Sequence, residues 1–445
     1  MKSFLLYSDE ITTVKSNLQP IVTQAPIQKV DLNPKLLANV KLEAPEMPED
    51  LKLKQEVVEK APDIKLPPYN THIKITDAWK MANDWIQPRE LYPDPEINNQ
   101  VSGYVDQIQN FMVKARIKNA DVLSKGTQMK MLLYLEGKLL KNICRNLKLL
   151  KKFLGNQKVV FKPKRFERDD IIPGEVWDGF DRHNAEVAGF HLDKLLNFRR
   201  APIVVGRMLN MMEEIEPVAS ERLRKTLRTI TIKNGTEKSV CFFGECYYCK
   251  EADLACPNQE GLLEGSLTYW MEKDGFTFGK LRHPYQRTYR IDKKAAWETN
   301  EKYCETRVKK TNPYNKGPRL LDIMDGSVFD YLINNGDRHH YEVFTEYGAN
   351  AMMLMLDNAK AFGDPSQRDA SVLAPLRQCC LLRDSTMSKL ESLRGVLSGK
   401  LNESMKNDPI FPVLTDAHLK AMDARLEDIF AVIEDCQKDQ LLSAW

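Results

Sequence analysis

The chain has 445 residues, enough for two or three ordinary domains, and 42% hydrophobic with 29% charged residues is the composition of a globular protein rather than a membrane-embedded or disordered one. Lys and Arg total 65 against 62 Asp and Glu, a formal net charge of +3. That balance gives no compositional support to nucleic-acid or membrane binding, because both reward concentrated basic surface.

Taken in chain order, the first ten residues hold an apolar run of only four, Phe4 to Tyr7. A secretory signal needs roughly 7 to 15 such residues and a membrane span about 20, so no targeting segment is visible. Between Gln19 and Tyr69 come eight prolines and no glycine, which predicts an extended, disordered stem or linker over 1–70. The texture changes near Thr71 to amphipathic stretches with Trp79, Trp85 and Tyr92. Strands are predicted over Met129–Leu135 and Lys158–Lys162, the second closed by Pro163, which has no ladder donor. Asp181–Leu196 reads as a helix with Asp181 at its N-cap, since Ala185, Ala188, Leu192, Leu195 and Leu196 recur at helical spacing. A second helix carries Leu321, Met324, Val328, Tyr331 and Leu332 and stops at Asn334-Asn335-Gly336. The apolar run Ala351–Leu356 predicts a short buried strand that delivers Asp357 at its end.

Nine cysteines leave at least one unpaired if the chain is oxidised. Four crowd into Cys241, Cys246, Cys249 and Cys256, and the sequons at Asn234 and Asn402 are glycosylation acceptors by pattern, as in an oxidised lumenal protein. A four-cysteine zinc site is the competing reading. Such sites present two close pairs across a long loop, and here only Cys246 and Cys249 have that spacing, which favours disulfides.

The common nucleotide motifs are missing: there is no G-x-G-x-x-G, and Gly275 to Lys280 falls one residue short of a Walker loop. What remains is an ordered set comprising a strand lysine (Lys162), a helix glutamate (Glu186), a loop aspartate after a helix (Asp337) and an aspartate about twenty residues on (Asp357). Phosphoryl transfer needs this kind of kit, in which a lysine holds phosphates, a glutamate fixes the lysine, one aspartate binds metal and another takes the hydroxyl proton. Singly, each has a bland reading as a solvated strand end, a charged helix face or a turn. His339 and His340 are adjacent and suit a structural role better than shared chelation.

The segments Asp337-Arg-His-His-Tyr-Glu342, Lys125-Gly-Thr-Gln128, Val160-Phe-Lys-Pro-Lys-Arg165, Asp181-Arg-His-Asn-Ala-Glu186, Cys241-Phe-Phe-Gly-Glu-Cys246, Glu264-Gly-Ser-Leu267, Leu356-Asp-Asn-Ala359 and Gln378-Cys-Cys380 resemble the secretory-pathway kinase family of the Golgi casein kinase type. The likeness runs from about Trp79 to Cys436 and is strongest to the branch that phosphorylates a sugar. It implies an α+β fold, an atypical bilobal protein-kinase-like architecture stapled by disulfides. A small N-lobe sheet with helices over 71–267 would be followed by a mainly helical C-lobe over 268–445.

The activity implied is ATP-dependent and manganese-dependent, with magnesium as an alternative, and phosphorylates the 2-hydroxyl of xylose in the glycosaminoglycan-protein linkage of proteoglycans in the Golgi lumen. By the same resemblance Asp337 would be the catalytic base, Asp181 and Asp357 the metal ligands, and Glu186 the helix partner of Lys162. Gln128, Lys162, Glu342 and Asp357 would contact ATP, with Thr268, Tyr269, Trp270 and Met271 as the hinge against adenine. The cysteines would pair as Cys241–Cys256, Cys246–Cys249, Cys304–Cys379 and Cys380–Cys436, leaving Cys144. A secreted protein-serine kinase and a non-catalytic activating partner are the alternative functions, the second disfavoured by the retained Glu186.

The chain departs from the family in two places. Lys138 to Leu154 inserts six basic and no acidic residues where the family has a tight turn. It reads either as a basic amphipathic helix for an anionic surface or, preferably, as intron sequence carried into the reading frame, which would also remove Cys144. The family's N-terminal anchor, through which any membrane association would run, is not visible either.

Overall fold

The computed structural model describes residues 73–86, 95–124, 126–137, 156–271, 277–290, 292–438 and 443–444. The expected stem over 1–70 and the basic stretch 138–154, with Cys144, lie outside these residues. Two helices, α1 (Ile75–Asn83) and α2 (Pro95–Lys114), precede strands β1 (Ile117–Val122), β2 (Met131–Leu135) and β3 (Gln157–Pro163). Helix α3 (His183–Leu195) and strands β4 (Val204–Asn210), β5 (Leu227–Ile232), β6 (Glu237–Phe242) and β7 (Leu262–Tyr269) follow. The remainder comprises β8 (Phe278–Arg282), α4 (Arg319–Ile333), β9 (His340–Phe344), α5 (Ala374–Cys379), α6 (Leu397–Met405) and α7 (Asp416–Lys438), with a further 10-residue helix over Asp384–Leu393, a short parallel pairing of Leu381–Leu382 with Ser443–Ala444 and short helical turns.

The central sheet runs β1-β2-β3-β7-β4, with antiparallel neighbours throughout. In β2 the burial alternates residue by residue, the mark of a strand with one covered face. At β3 the alternation gives way to a continuous buried run at Phe161, Lys162 and Pro163, because both faces are covered at that end. Register places Lys162 opposite Ser266 and Pro163 opposite Gly265. A Cβ on Gly265 would stand 2.3 Å from the Phe161 ring and 2.5 Å from the Lys162 carbonyl, so only glycine lets β7 lie this close to the strand that presents Lys162. Strand β7 continues to Tyr269, so the expected division after 267 falls inside it.

Helix α3 is buried on every side from His183 to Asp193, which explains why its sequence shows small residues and histidines rather than a clean apolar stripe. It begins two residues later than expected. Arg182 sits at its N-cap with no side-chain cap bond, and Asp181 is committed elsewhere, which corrects its reading as the cap. Helix α4 is likewise buried throughout. Its inward carboxylates are matched: Arg200 donates to Asp325 at 2.6 Å, Thr386 donates to Asp325 at 2.7 Å and Arg383 donates to Asp322 at 2.8 Å. The helix stops where the sequence predicted, at Asn334, whose φ of 57° is the left-handed C-cap that asparagine tolerates.

The expected strand Ala351–Leu356 is not one. It is buried from Ala351 to Met355 but joins no ladder; Leu354 N donates to Glu342 O and Met355 N to Arg200 O, both at 2.9 Å. Those two elements satisfy the backbone singly, which meets the demand that buried amides be paired without requiring a sheet.

Disulfides join Cys241–Cys256, Cys246–Cys249, Cys304–Cys379 and Cys380–Cys436. The last two close 75 and 56 residues of chain, worth about 4 kcal/mol each in unfolded-state entropy. Adjacent Cys379 and Cys380 thereby fix the end of α5 to two different elements. Among the described residues no helix is long and apolar enough to cross a membrane.

Candidate active site

Lys162 is the centre of the site. Strand β3 carries its ammonium to three carboxylates: Asp357 Oδ1 at 2.5 Å, Glu186 Oε1 at 2.7 Å and Asp181 Oδ2 at 3.0 Å. Lys162, Asp181 and Glu186 are all nearly inaccessible, whereas the Asp357 side chain is mostly exposed at the cleft. Burial disfavours the ammonium, but Asp181, Asp357 and Glu186 together outweigh it and hold the Lys162 pKa well above its ordinary value. The same lysine holds Asp357 far below the usual carboxylate range. Three negative charges around one positive charge leave the cluster net negative, which invites a further cation.

A second cation is already near. Lys130, at the foot of β2, is half-buried, and its pKa is pulled down first by burial and then by the charge of Lys162. Its ammonium fills the space beside Gly126, 2.6 Å from where a Cβ would stand, and Gly126 has φ +90°. Sequence reasoning stopped at Gln128 and missed Lys130, although a lysine two residues past that glutamine, entering a strand, was the available signal. Gln128 is itself buried, and the neighbouring Thr127 carbonyl accepts from Tyr248 N at 3.1 Å. The loop closed by Cys246–Cys249 thus lies against the glycine-containing loop.

Asp357 has φ +58°, the left-handed conformation that aspartate tolerates better than bulkier residues but still at some cost. A guanidinium fixes that geometry. Arg338 grips Asp330 of α4 with two hydrogen bonds of 2.7 and 2.6 Å, and donates to Leu356 O at 2.5 Å and to Asn358 Oδ1 at 2.7 Å. Asn358 N in turn donates to Glu186 Oε2 at 3.2 Å. Burial raises the Asp330 pKa despite this partner. Arg338 immediately follows Asp337, so one side chain ties the candidate base to the segment that carries Asp357. Its role was not read from sequence, because nothing local marks an arginine that reaches across 18 and 20 residues.

Asp337 lies in the loop after α4 and is partly exposed. Its amide donates to Asn335 Oδ1 at 3.0 Å, and its carboxylate accepts a 2.6 Å hydrogen bond from the phenol of Tyr289. A hydroxyl donating to this oxygen is the geometry a general base requires of its acceptor. Burial, then the charge of Asp337, pushes the Tyr289 phenol above its ordinary pKa, so it stays a donor. The His339 ring lies 3.3 Å from the same carboxylate, and that contact raises its pKa. His340 instead faces Glu342 at 3.4 Å, although the two rings touch edge to face with centroids 4.2 Å apart.

The remaining expected residues divide. Glu342 on β9 pairs in register with Lys280, and burial raises its pKa. Thr268 presents a buried hydroxyl without a hydrogen-bond partner among the described residues. Tyr269 turns its side chain into the core, where its single hydroxyl proton is shared between Trp79 O at 2.7 Å and Gln157 Oε1 at 2.8 Å. Its amide donates to Ile203 O, and that of Trp270 to Lys158 O; both belong to the sheet, so any ligand bond from these amides is already forestalled. Asn234 lies in the turn Lys233–Gly235 between β5 and β6, and Asn402 is within α6.

Among the described residues no group of three or more His, Cys, Asp or Glu side chains could by itself hold a metal ion. Asp181 and Asp357, on the same ammonium, offer two hard oxygen donors, the ligand type that Mn2+ and Mg2+ take. The residues therefore fit such an ion.

A family model described as Golgi casein kinase, C-terminal, Fam20 matches residues 140–443. The chain is 47% identical over 376 residues to the glycosaminoglycan xylosylkinase of Homo sapiens, covering 84% of this chain and 83% of that protein. The structure of hydra Fam20 with sugar superposes with a TM-score of 0.72 at 40% identity, over 84% of this chain and 99% of that one. The Golgi casein kinase with Mn/ADP bound superposes with a TM-score of 0.70 at 32% identity, over 83% and 84%. A catalytic-type lysine cluster, a matching fold and identity across most of the chain agree: this chain belongs to the Golgi casein kinase (Fam20) family of kinases.

Proposed function

We propose that this protein is an ATP-dependent kinase that phosphorylates the 2-hydroxyl of xylose in the glycosaminoglycan-protein linkage, working in the Golgi lumen. One observation carries the catalytic part: Arg338, next in the chain to Asp337, bonds Leu356 O and Asn358 Oδ1 on either side of Asp357, the carboxylate that meets Lys162. The acceptor is inferred from the xylosylkinase relative. In this reading Lys162 and Lys130 bind the nucleotide phosphates, Glu186 orients Lys162, and Gln128, Thr268, Met271 and Glu342 line the nucleotide. Asp337 takes the proton of the attacking hydroxyl, which must displace or share with the Tyr289 phenol. Asp181 and Asp357 are the residues that would hold Mn2+ or Mg2+. When bound, the ion supplies charge neutralisation for the transferring phosphoryl group.

Lumenal oxidation is consistent with four disulfides, and Asn234 and Asn402 are the glycosylation candidates. The test is to incubate the purified protein with manganese and ATP and offer either a xylose-containing linkage oligosaccharide or a casein-like peptide. Phosphate on the oligosaccharide is expected. Phosphate on the peptide alone would instead assign a protein-serine kinase, and phosphate on neither would favour a non-catalytic partner.

A further inference from the structure

Between Lys280 and Arg319 the sequence holds twelve Lys and Arg against four Asp and Glu. The whole chain is nearly balanced, so this one stretch concentrates a positive surplus that the rest offsets. Folding gathers it around a cavity. A space of about 880 Å³ is lined by Arg282, Arg287, Arg290, Lys293, Lys294 and Arg307 and by no Asp or Glu. Arg287 pairs with Asp369 at 3.1 Å, and Arg290 pairs with Asp292. Lys293, Lys294 and Arg307 make no ion pair among the described residues, and Arg282 donates to the neutral Gln286.

This cavity opens toward the acceptor side of the active site. His283, Arg287, Tyr289 and Trp297 line both it and a smaller cavity of about 40 Å³ that reaches Gly336 and Arg338. Tyr289, shared by the two, is the residue whose phenol donates to Asp337. A molecule presenting a hydroxyl to Asp337 thus has a basic chamber directly beside it.

We infer that this cavity binds an acidic segment of the polypeptide that carries the acceptor sugar. The inference rests on the proposed acceptor. Xylose is uncharged and, in the linkage, is joined to protein, so the nearest carboxylates to the phosphorylated hydroxyl belong to flanking Asp and Glu side chains. An anionic polysaccharide would begin further off. Arginine forks match carboxylates in two-bond geometry, while Trp297, Tyr303, Tyr314 and Pro313 supply apolar wall for the peptide between its charges. Exposed cations of this kind steer and select a partner more than they tighten it.

The test compares two xylosyl-serine glycopeptides, identical except that flanking Glu residues in one are Gln in the other, with the full-length protein and manganese-ATP. The kcat/KM ratio is expected to favour the acidic peptide about fivefold at low salt, as two or three exposed pairs would give, and to fall toward one at roughly 0.5 M salt. In the double variant Lys293→Glu, Lys294→Glu the ratio should drop to one or below. Because it is a ratio on one preparation, a folding defect that slows both reactions does not move it. Equal rates in the unmodified protein, or a preference that survives charge reversal, would overturn the proposal. So would equal glycopeptide rates combined with inhibition by a heparin oligosaccharide that the double variant abolishes, which would give the cavity to a glycan. If neither glycopeptide is phosphorylated, the xylose reading has failed on its own. Fluorescence anisotropy with the unglycosylated acidic peptide then still decides the cavity: binding lost in the double variant supports it, and no preference over the Gln peptide refutes it.

Discussion

The two ends of the active-site cleft are built on opposite principles. Around Lys162 the charges are closely spaced and mutually dependent and, Asp357 apart, buried, and each partner comes from a different element: β3, the turn before α3, α3 itself and the segment after β9. Around Asp337 the groups are partly exposed and aromatic, and the neighbouring chamber is lined by long, solvated cations. Burial makes the first region costly to alter, since a buried charge stripped of its partner loses several kcal/mol. Exposure makes the second region cheap to vary. On the proposed reading, the contrast teaches that phosphate handling would be welded into the fold, while acceptor choice would be left to surface residues that can change without unfolding the protein.

The sharpest way to break this comparison is Asp337→Ala. Loss of turnover by at least about 10³-fold is expected, with Tm within roughly 2 °C of the parent, because the side chain is partly exposed and packs against no core. Thermal unfolding and phosphate transfer measured side by side check it; near-parental turnover would remove Asp337 from its role. Lys162→Met should also abolish activity, but with a stability loss of about 3 kcal/mol or more, because Asp181 and Glu186 would be left buried without their counter-ion. Denaturant unfolding measures that loss, and an unaltered midpoint would mean that the cluster relaxes freely.

Arg338→Lys tests the bridge between the two ends. A lysine cannot grip Asp330, Leu356 O and Asn358 together, so kcat should fall about 10- to 100-fold with a smaller change in the KM for ATP. A drop in Tm with kcat intact would make Arg338 merely structural. The last prediction concerns pH, where each ring makes a modest contribution. Burial holds the rings of His191 and His283 at about 3 and that of His418 at about 4, against about 6.5 for an exposed ring. These rings stay neutral in the folded chain while the unfolded chain takes up protons. Their contribution is therefore fully present above about pH 6.5 and is lost as pH falls toward 4, roughly 1–2 kcal/mol for each ring by pH 5. A Tm that stays level between pH 7.5 and 5 would contradict this.

Legibility followed the range of the interaction. Helix α4 and its stop at Asn334 were readable because periodicity and a left-handed cap are local properties. The run Ala351–Leu356 was misassigned because apolarity reports burial and not hydrogen bonding, and its amides bond singly to Gly348, Asp322, Glu342 and Arg200 rather than to a ladder. Asp181 looked like a cap because caps are common for aspartate next to a helix; the lysine that claims it lies on another strand. The expected hinge falls at the end of β7, and which of its amides are committed to the sheet depends on Lys158 and Ile203.

By itself the sequence determined the order of the chemical groups, the family they belong to, the even set of cysteines that pair, and the strands and helices that carry Lys162 and Glu186. Tertiary structure alone decided that Lys162 and Asp357, 195 residues apart, meet at one ammonium, that Arg338 ties Asp330 to the segment around Asp357, and that scattered lysines and arginines between 280 and 319 line a single chamber. The physical reason is that propensity and periodicity are written within a few residues, whereas Coulomb attraction, burial and hydrogen-bond matching act through space and leave no mark on the neighbouring sequence.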